Sequence, residues 1–296
     1  MSTLSKRQNS DKALELLYIQ RKLYDRSKHW GKLRIIGVLI LGIASPVITF
    51  FLLSAAFYIA AVSAVWLTLS RTWFANREKT YSRQAALIQN EFDCLVFGIE
   101  NNIRKLDPPT LEERADLLPS KSDFDAAIDN ERLRDWYPLN TSKSDALNTA
   151  VAQRANAAYT DRLLRANSSL VLTLTILWLI CIVAFGIYRG LSSANLVLGI
   201  IIPILPGLLD NFENWLNVIN ASKQRRSLAK EIEDVIINNE DVEPHIEHWQ
   251  QRTFELRLTT PYLPNILYGA LRDKNEAAMN AVADNLFNTG DSHGKH

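Results

Sequence analysis

The chain has 296 residues, with 33 Lys and Arg against 32 Asp and Glu, and a mean hydropathy of −0.07. A net charge this close to zero excludes a protein built to coat nucleic acid, so no DNA or RNA partner is expected. Two cysteines, Cys94 and Cys181, lie far apart, which excludes a disulfide framework and a CxxC metal centre and suits a reducing compartment.

Residues 1–11 are polar and carry no apolar run before a small-residue cleavage site, so no signal peptide is expected. Residues 1–32 read as a cytosolic N-terminal region in which Leu14, Leu17, Leu23 and Tyr24 stand among charges, the pattern of an amphipathic helix. The charges then stop. From 35 to 70 none occurs, a block too long for one span of about 20 residues and long enough for two short ones. A hairpin over 33–73 follows, with a first span at 33–52, a turn near 51–55 and a second span at 55–73.

The rival reading is one tilted helix kinked at Pro46 with an extension. Charge decides between them, because Arg21, Lys22, Arg26, Lys28, Lys32 and Arg34 precede the block and Arg71, Arg77, Lys79 and Arg83 follow it. Both flanks are therefore cytoplasmic, which requires an even number of crossings. Ala56, Ala60 and Ala64 recur every four residues on the second span and form a candidate helix-packing face, used either within the hairpin or between subunits.

Residues 74–165 read as a cytosolic helical domain. A helix continues past Arg77 to about Val96, and Asp107-Pro108-Pro109 breaks it. Thr110-Leu111-Glu112-Glu113 is a capping-box pattern opening a short helix. Further helices are expected over 124–136 and 141–165. The second hairpin, 166–209, places spans at 166–188 and 191–209 around an Arg189-Gly190 turn, again between basic flanks. Pro203 and Pro206-Gly207 are a candidate hinge near its cytoplasmic end. Residues 210–296 form a C-terminal cytosolic region with helices over 222–238, 246–258 and 266–287. No run of period two is convincing, so the fold class is all-α: a polytopic membrane protein with four transmembrane helices in two hairpins plus helical cytosolic regions.

Apart from Arg34 and Arg71 at their cytoplasmic ends, the spans as drawn hold no Asp, Glu, Lys or Arg, which weighs against an ion-coupled transporter. No phosphate-binding glycine loop, HExxH or GxSxG occurs, so no catalytic site is assigned and no enzyme is expected. His245 and His248 stand three apart without a third ligand, so no metal and no cofactor are expected. Cys94, in the apolar run 92–97, reads as a buried thiol. Lys223, Arg225 and Arg226 follow a span, where attraction to anionic headgroups accounts for them. Arg132, Arg134, Trp136 and Tyr137, with Arg154 further on, combine cations with stacking surfaces and are the candidate nucleotide-ligand contacts. The competing reading of Trp136 and Tyr137 is core anchoring.

Several short motifs in this order carry a family resemblance. Arg7-Gln8-Asn9 followed by LELLYIQRKLY at 14–24, QNEFDCLVF at 89–97, Asp135-Trp136-Tyr137-Pro138, Gln153-Arg154-Ala155-Asn156 with Leu164-Arg165, and Pro264-Asn265-Ile266-Leu267-Tyr268 with Arg272, Glu276 and Met279 resemble the SMODS-associated four-transmembrane effectors of bacteria. The resemblance covers nearly the whole chain. One departure is Glu100-Asn101, where a Trp-Asn pair is expected. The resemblance implies a pore-forming effector of antiphage defence in the bacterial inner membrane, multi-pass, with both termini cytoplasmic. It further implies homo-oligomers in the lipid bilayer and a cyclic oligonucleotide ligand made by a partner nucleotidyltransferase, with membrane disruption or abortive infection as the outcome. The alternative is a membrane-anchored interaction protein whose cytosolic helices recruit partners without forming a pore.

Overall fold

A computed structural model describes residues 3–51, 56–101, 107–190, 202–260, 263 and 265–289. Every regular element among them is helical, and the chain divides into two units, Met1–Thr149 and Ala150–His296.

In the first unit a short helix α1 (Thr3–Gln8) leads into α2 (Asp11–Phe51), which runs unbroken past Lys32 and Pro46. Its leucines 14, 17 and 23 are buried, as are Ile88 and Phe92 of α4 (Ala75–Phe97), and each such side chain contributes about 1.5–3 kcal/mol by leaving water. Tyr24 donates to Gln89 (3.1 Å), Ser27 donates to the Glu78 carbonyl (2.9 Å) and Arg34 pairs with Glu78 (2.5 Å), so α2 and α4 lie antiparallel.

Between them come α3 (Ala56–Leu69) and a π-helical turn, Ser70–Phe74, that was not legible in the sequence. The inward face here is Ile59, Ser63 and Trp66 of α3, half-buried, and Ser70 of the π turn, buried, spaced four, three and four residues apart. Trp66 lies over Gly37 of α2, where an added Cβ would stand 1.9 Å from the indole ring. Ala60 and Ala64, to one side of this face, are exposed instead. Trp30, Trp66, Trp73 and Phe74 cluster at the π turn, with ring centroids 5.1–5.6 Å apart. Amphipathic rings at the border between an apolar block and its basic flank match the aromatic belt of a membrane interface. The expected turn at 51–55 lies outside the described residues except for its first position.

The capping box is present: Thr110 Oγ1 accepts from the Glu113 amide (3.2 Å) and the Thr110 amide donates to Glu113 (2.9 Å), opening α5 (Leu111–Ala115). The helix expected over 124–136 is corrected to α6, Phe124–Glu131. Arg132 (φ 53°) and Asp135 (φ 49°) adopt the left-handed region, which no α-helix continues through.

Helix α7 (Asp145–Tyr188) begins later than 141, because Asn148 folds back to donate to the Asn140 carbonyl (2.9 Å) and accept from its amide (2.7 Å). It ends at Tyr188, where Gly190 turns left-handed (φ 69°). In the second unit α7 is followed by α8 (Ile202–Ile237), a 3₁₀ turn (Glu243–His245), α9 (Ile246–Leu258) and α10 (Asn265–Thr289). Leu228, Ile232, Trp249 and Phe254 are buried in its core. Helix α8 passes through Pro203, Pro206 and Gly207, and beyond Leu209, as continuous helix. The segment 191–201, which holds most of the expected fourth span, lies outside the described residues.

Among the described residues one helix, α7, is long and apolar enough to cross a membrane. The helical segment α3 has 14 residues, short of a full span, and α8 is increasingly charged beyond Leu209. The all-α class therefore stands in the structure, while one of the four expected crossings has a described helix of membrane-spanning length and composition. Leu170, Leu172, Leu174, Ile176, Leu177 and Ile180 of α7 are exposed, an apolar surface that water would not leave bare on a soluble protein.

Candidate functional site

Three of the short motifs meet in the first unit. The Gln8 side chain accepts from the Tyr137 amide (3.0 Å). Asn9 and Asp135 make a reciprocal pair, Asn9 Nδ2 donating to the carboxylate (2.8 Å) and the Asp135 amide donating to Asn9 Oδ1 (3.0 Å). Arg7 donates to the Val96 carbonyl at the end of α4 (3.2 Å). Tyr137, buried, donates its hydroxyl to the buried Asp93 carboxylate (2.6 Å), and its ring lies 6.0 Å from Phe92 and 5.2 Å from Phe97. The end of α1 with Asn9, the last turns of α4 and the 135–138 turn thus form one hydrogen-bonded lock. Asn90 donates to Asn101 (3.3 Å), so the asparagine of the Glu100-Asn101 departure is engaged even though the preceding tryptophan is lacking.

Each candidate ligand contact has a definite place. Arg132 is the exposed left-handed residue that ends α6. Arg134, exposed, is held by Asp125 (2.7 Å) and Asp129 (2.9 Å). The Asp129 hydrogen bond first, and Asp125 after it, raise its pKa above the ordinary value. Trp136 is half-buried beside them in sequence, and Tyr137 anchors the core. Arg154 lies in the second unit, where it grips Glu233 through Nε (3.2 Å) and Nη2 (2.8 Å). The first four therefore share one turn and its supports, and the fifth belongs elsewhere. Midway along α2, burial lowers the pKa of Lys28 against the opposing pull of Asp25.

Gly98 closes α4 with φ 73°, its amide and that of Ile99 both reaching the Cys94 carbonyl (2.9 and 3.0 Å). A Cβ there would stand 2.5 Å from the Arg7 guanidinium. Gly98→Ala is therefore expected to cost about 1–2 kcal/mol from the left-handed backbone alone, and to displace Arg7 from Val96. Thermal unfolding of the purified variant measures it, and an unchanged midpoint refutes it.

The second unit holds polar centres that residue type alone did not disclose. Asp161, 3% exposed, accepts from Ser222, from Arg165 (2.7 Å) and from Arg226 (3.4 Å). Gln153 donates to the Ile246 carbonyl (3.1 Å) and to Gln250 (3.2 Å), joining α7 to α9. Glu231 receives the Trp249 indole N–H (3.0 Å) and pairs with Arg252. Headgroup attraction does not describe Arg225: it is buried, donating to the Ala221 carbonyl (3.0 Å), the Leu256 carbonyl and Thr260. His245 stacks on Trp249 at 5.3 Å, and among the described residues no group of three metal-ligating side chains forms.

The profile of the SMODS-associating 4TM effector domain matches residues 2–286. The chain belongs to this family. Membership in a family of four-transmembrane effector domains makes it a membrane protein, in accord with the exposed leucines of α7. A relative from Bacillus cereus (strain VD146), named as a probable CBASS effector molecule, is 27% identical over 233 residues, covering 76% of this chain and 77% of its own length. No solved structure matches the chain. The motifs that suggest the family are also the ones that lock the first unit together, which gives the resemblance a physical basis.

Proposed function

We propose that this S_4TM-family chain is a pore-forming effector of bacterial antiphage defence. In this reading it crosses the inner membrane four times as two hairpins, with both termini cytoplasmic, and acts without catalysis. The observation that carries it is an apolar helix exposed along 170–187 and joined without a loop to a polar cytosolic bundle, in a chain of an effector-domain family. Four slender helices enclose no aqueous path alone, so copies of the chain assemble, with the exposed Ala60 and Ala64, and Ala56 in sequence register, as the packing face. The hinge at Pro203, Pro206 and Gly207 lets the fourth span move on opening.

The trigger is a cyclic oligonucleotide made by a partner nucleotidyltransferase, and opening disrupts the membrane and ends the infection. Arg132, Arg134 and Trp136 offer cations and a ring face at one turn, and a phosphate there competes with Asp125 and Asp129 for Arg134. Arg154 is the corresponding candidate in the second unit. Purified protein in phosphatidylethanolamine and phosphatidylglycerol liposomes is expected to release an entrapped dye when one of a panel of cyclic di- and trinucleotides is added. No release with any of them overturns the reading. Replacing the spans with an unrelated anchor separates it from a tethering role, since tethering survives the swap and dye release does not.

A further inference from the structure

The second hairpin differs from its sequence-based outline in where its lipid-facing band meets polar side chains. Asn211 of α8 donates to Thr175 of α7 (2.6 Å), and Ser222 of α8 donates to Asp161 of α7. The two helices are therefore antiparallel, and these contacts set their levels. Thr175 lies five residues inside Leu170, the first exposed leucine of the α7 band, or about 8 Å at 1.5 Å per residue. Glu213, two residues along α8 from Asn211, stands level with Leu172 to Leu174, inside that band. The fourth span thus extends past Leu209, and two acidic residues, Asp210 and Glu213, belong to it.

Three faces run along this part of α8. One is turned inward: Val218 and Ala221 pack with Leu164, Asn211 and Ser222 bond to α7, and Arg225 is buried. A second is apolar and exposed, with Leu209, Phe212 and Leu216. The third is Glu213, Asn217, Asn220 and Gln224, spaced four, three and four residues apart, so they form one stripe, and all four are exposed. That stripe lies on the side of the helix opposite Asn211, Val218 and Ser222. By the same register Asn217, Asn220 and Gln224 stand on the cytoplasmic side of Leu170, whereas Glu213 stands at membrane depth, where lipid cannot receive it, because polar side chains there are stable only toward protein or water. Glu213 has no ion-pair partner among the described residues. A glutamate stem is also short for carrying its charge out to the headgroups, unlike the long stems of Lys and Arg.

We propose that Glu213 lines the water-filled path between copies of this chain, with Asn217, Asn220 and Gln224 continuing the stripe at its cytoplasmic mouth, and that Glu213 gives the path a preference for cations. The proposal rests on the pore reading and names the surface that reading leaves unassigned. A ring of carboxylates contributed by successive copies attracts cations and repels anions at a narrow point. The asparagine and glutamine amides below it solvate passing ions without holding them. The apolar face of α8 meanwhile faces acyl chains.

Single-channel recording in planar bilayers of phosphatidylethanolamine and phosphatidylglycerol under a KCl gradient tests it, with the same panel of cyclic di- and trinucleotides as openers. The wild type is expected to show a cation-selective reversal potential. Glu213→Gln should move that potential toward zero, and Glu213→Lys should reverse its sign. In a Cys181→Ser background, Asn217→Cys should lose current to a water-soluble cationic methanethiosulfonate, and Leu216→Cys should not. The cysteine pair decides the matter if a Glu213 variant fails to assemble. Conducting channels whose reversal potential ignores both Glu213 substitutions, or in which Leu216→Cys is the blocked variant, overturn the assignment and leave the pore reading intact. Absence of any current from the wild type overturns both.

Discussion

Replacing Tyr137 by alanine is expected to cost the first unit about 3–5 kcal/mol, and Tyr137→Phe about 1–3 kcal/mol. The larger figure is the loss of a buried aromatic ring packed between Phe92 and Phe97. The smaller isolates one bond, because phenylalanine keeps the ring and withdraws the hydroxyl from the buried Asp93 carboxylate. A carboxylate held among apolar side chains depends on each donor it has, since water is not there to replace one. Thermal unfolding followed by tryptophan fluorescence reads both, at about 2–4 °C per kcal/mol for a unit of this size. The prediction fails if Tyr137→Phe unfolds with the wild type. Because the same residue holds the turn that carries Arg134 and Trp136, a ligand effect of Tyr137→Phe has to be judged at matched folded fraction.

The second large effect is expected at Arg225. Arg225→Ala should destabilise the second unit by about 2–5 kcal/mol, because it strips one buried and two half-buried acceptors of a charged donor and leaves the space of its buried stem unfilled. Arg225→Lys should retain little of that stability, since a single ammonium cannot reach the Ala221 carbonyl and the Leu256–Thr260 pair together. The adjacent Arg226 makes the contrast. Its side chain is 57% exposed and reaches Asp161 at 3.4 Å, so Arg226→Ala should shift stability by less than about 1 kcal/mol. Unfolding in detergent and vesicle binding, measured on both variants, separate internal fastening from headgroup attraction. Equal losses of vesicle binding with no loss of stability would return Arg225 to the membrane surface.

Local signals in the chain were legible where the physics is local. The capping box at Thr110 forms from residues three apart, and α9 occupies 246–258 as expected because a proline and a polar turn bound it on each side. Tyr188 ends α7 at the expected place, since Gly190 admits the left-handed turn. The family words were legible too, yet not their reason. Nothing local pairs Asn9 with Asp135, 126 residues apart, or aims Tyr137 at Asp93. The π turn at Ser70–Phe74 and the left-handed Arg132 also escaped notice, because neither carries a glycine or proline to mark it.

The candidate site divides the same way. Residue type picked out Arg132, Arg134, Trp136 and Tyr137 as a cluster, and one turn carries all four. Type did not foresee that Asp125 and Asp129 already occupy Arg134, because an exposed cation's partners depend on where another segment ends.

By itself the sequence determined that this chain is helical, that its charges leave two long blocks, and that its short motifs belong to a four-transmembrane effector family. Those properties reside in composition, periodicity and neighbours a few residues apart, which every conformation of the chain shares. Only the tertiary structure decided which helix face is covered: Ser63 and Trp66 inward while Ala60 and Ala64 face out, Arg225 inward while Arg226 faces out. It also decided the level at which Asn211 meets Thr175, and with it the depth of Glu213. Helical period tells which side chains share a stripe, but the stripe's partner is chosen by packing between segments distant in the chain, where shape and desolvation are settled together.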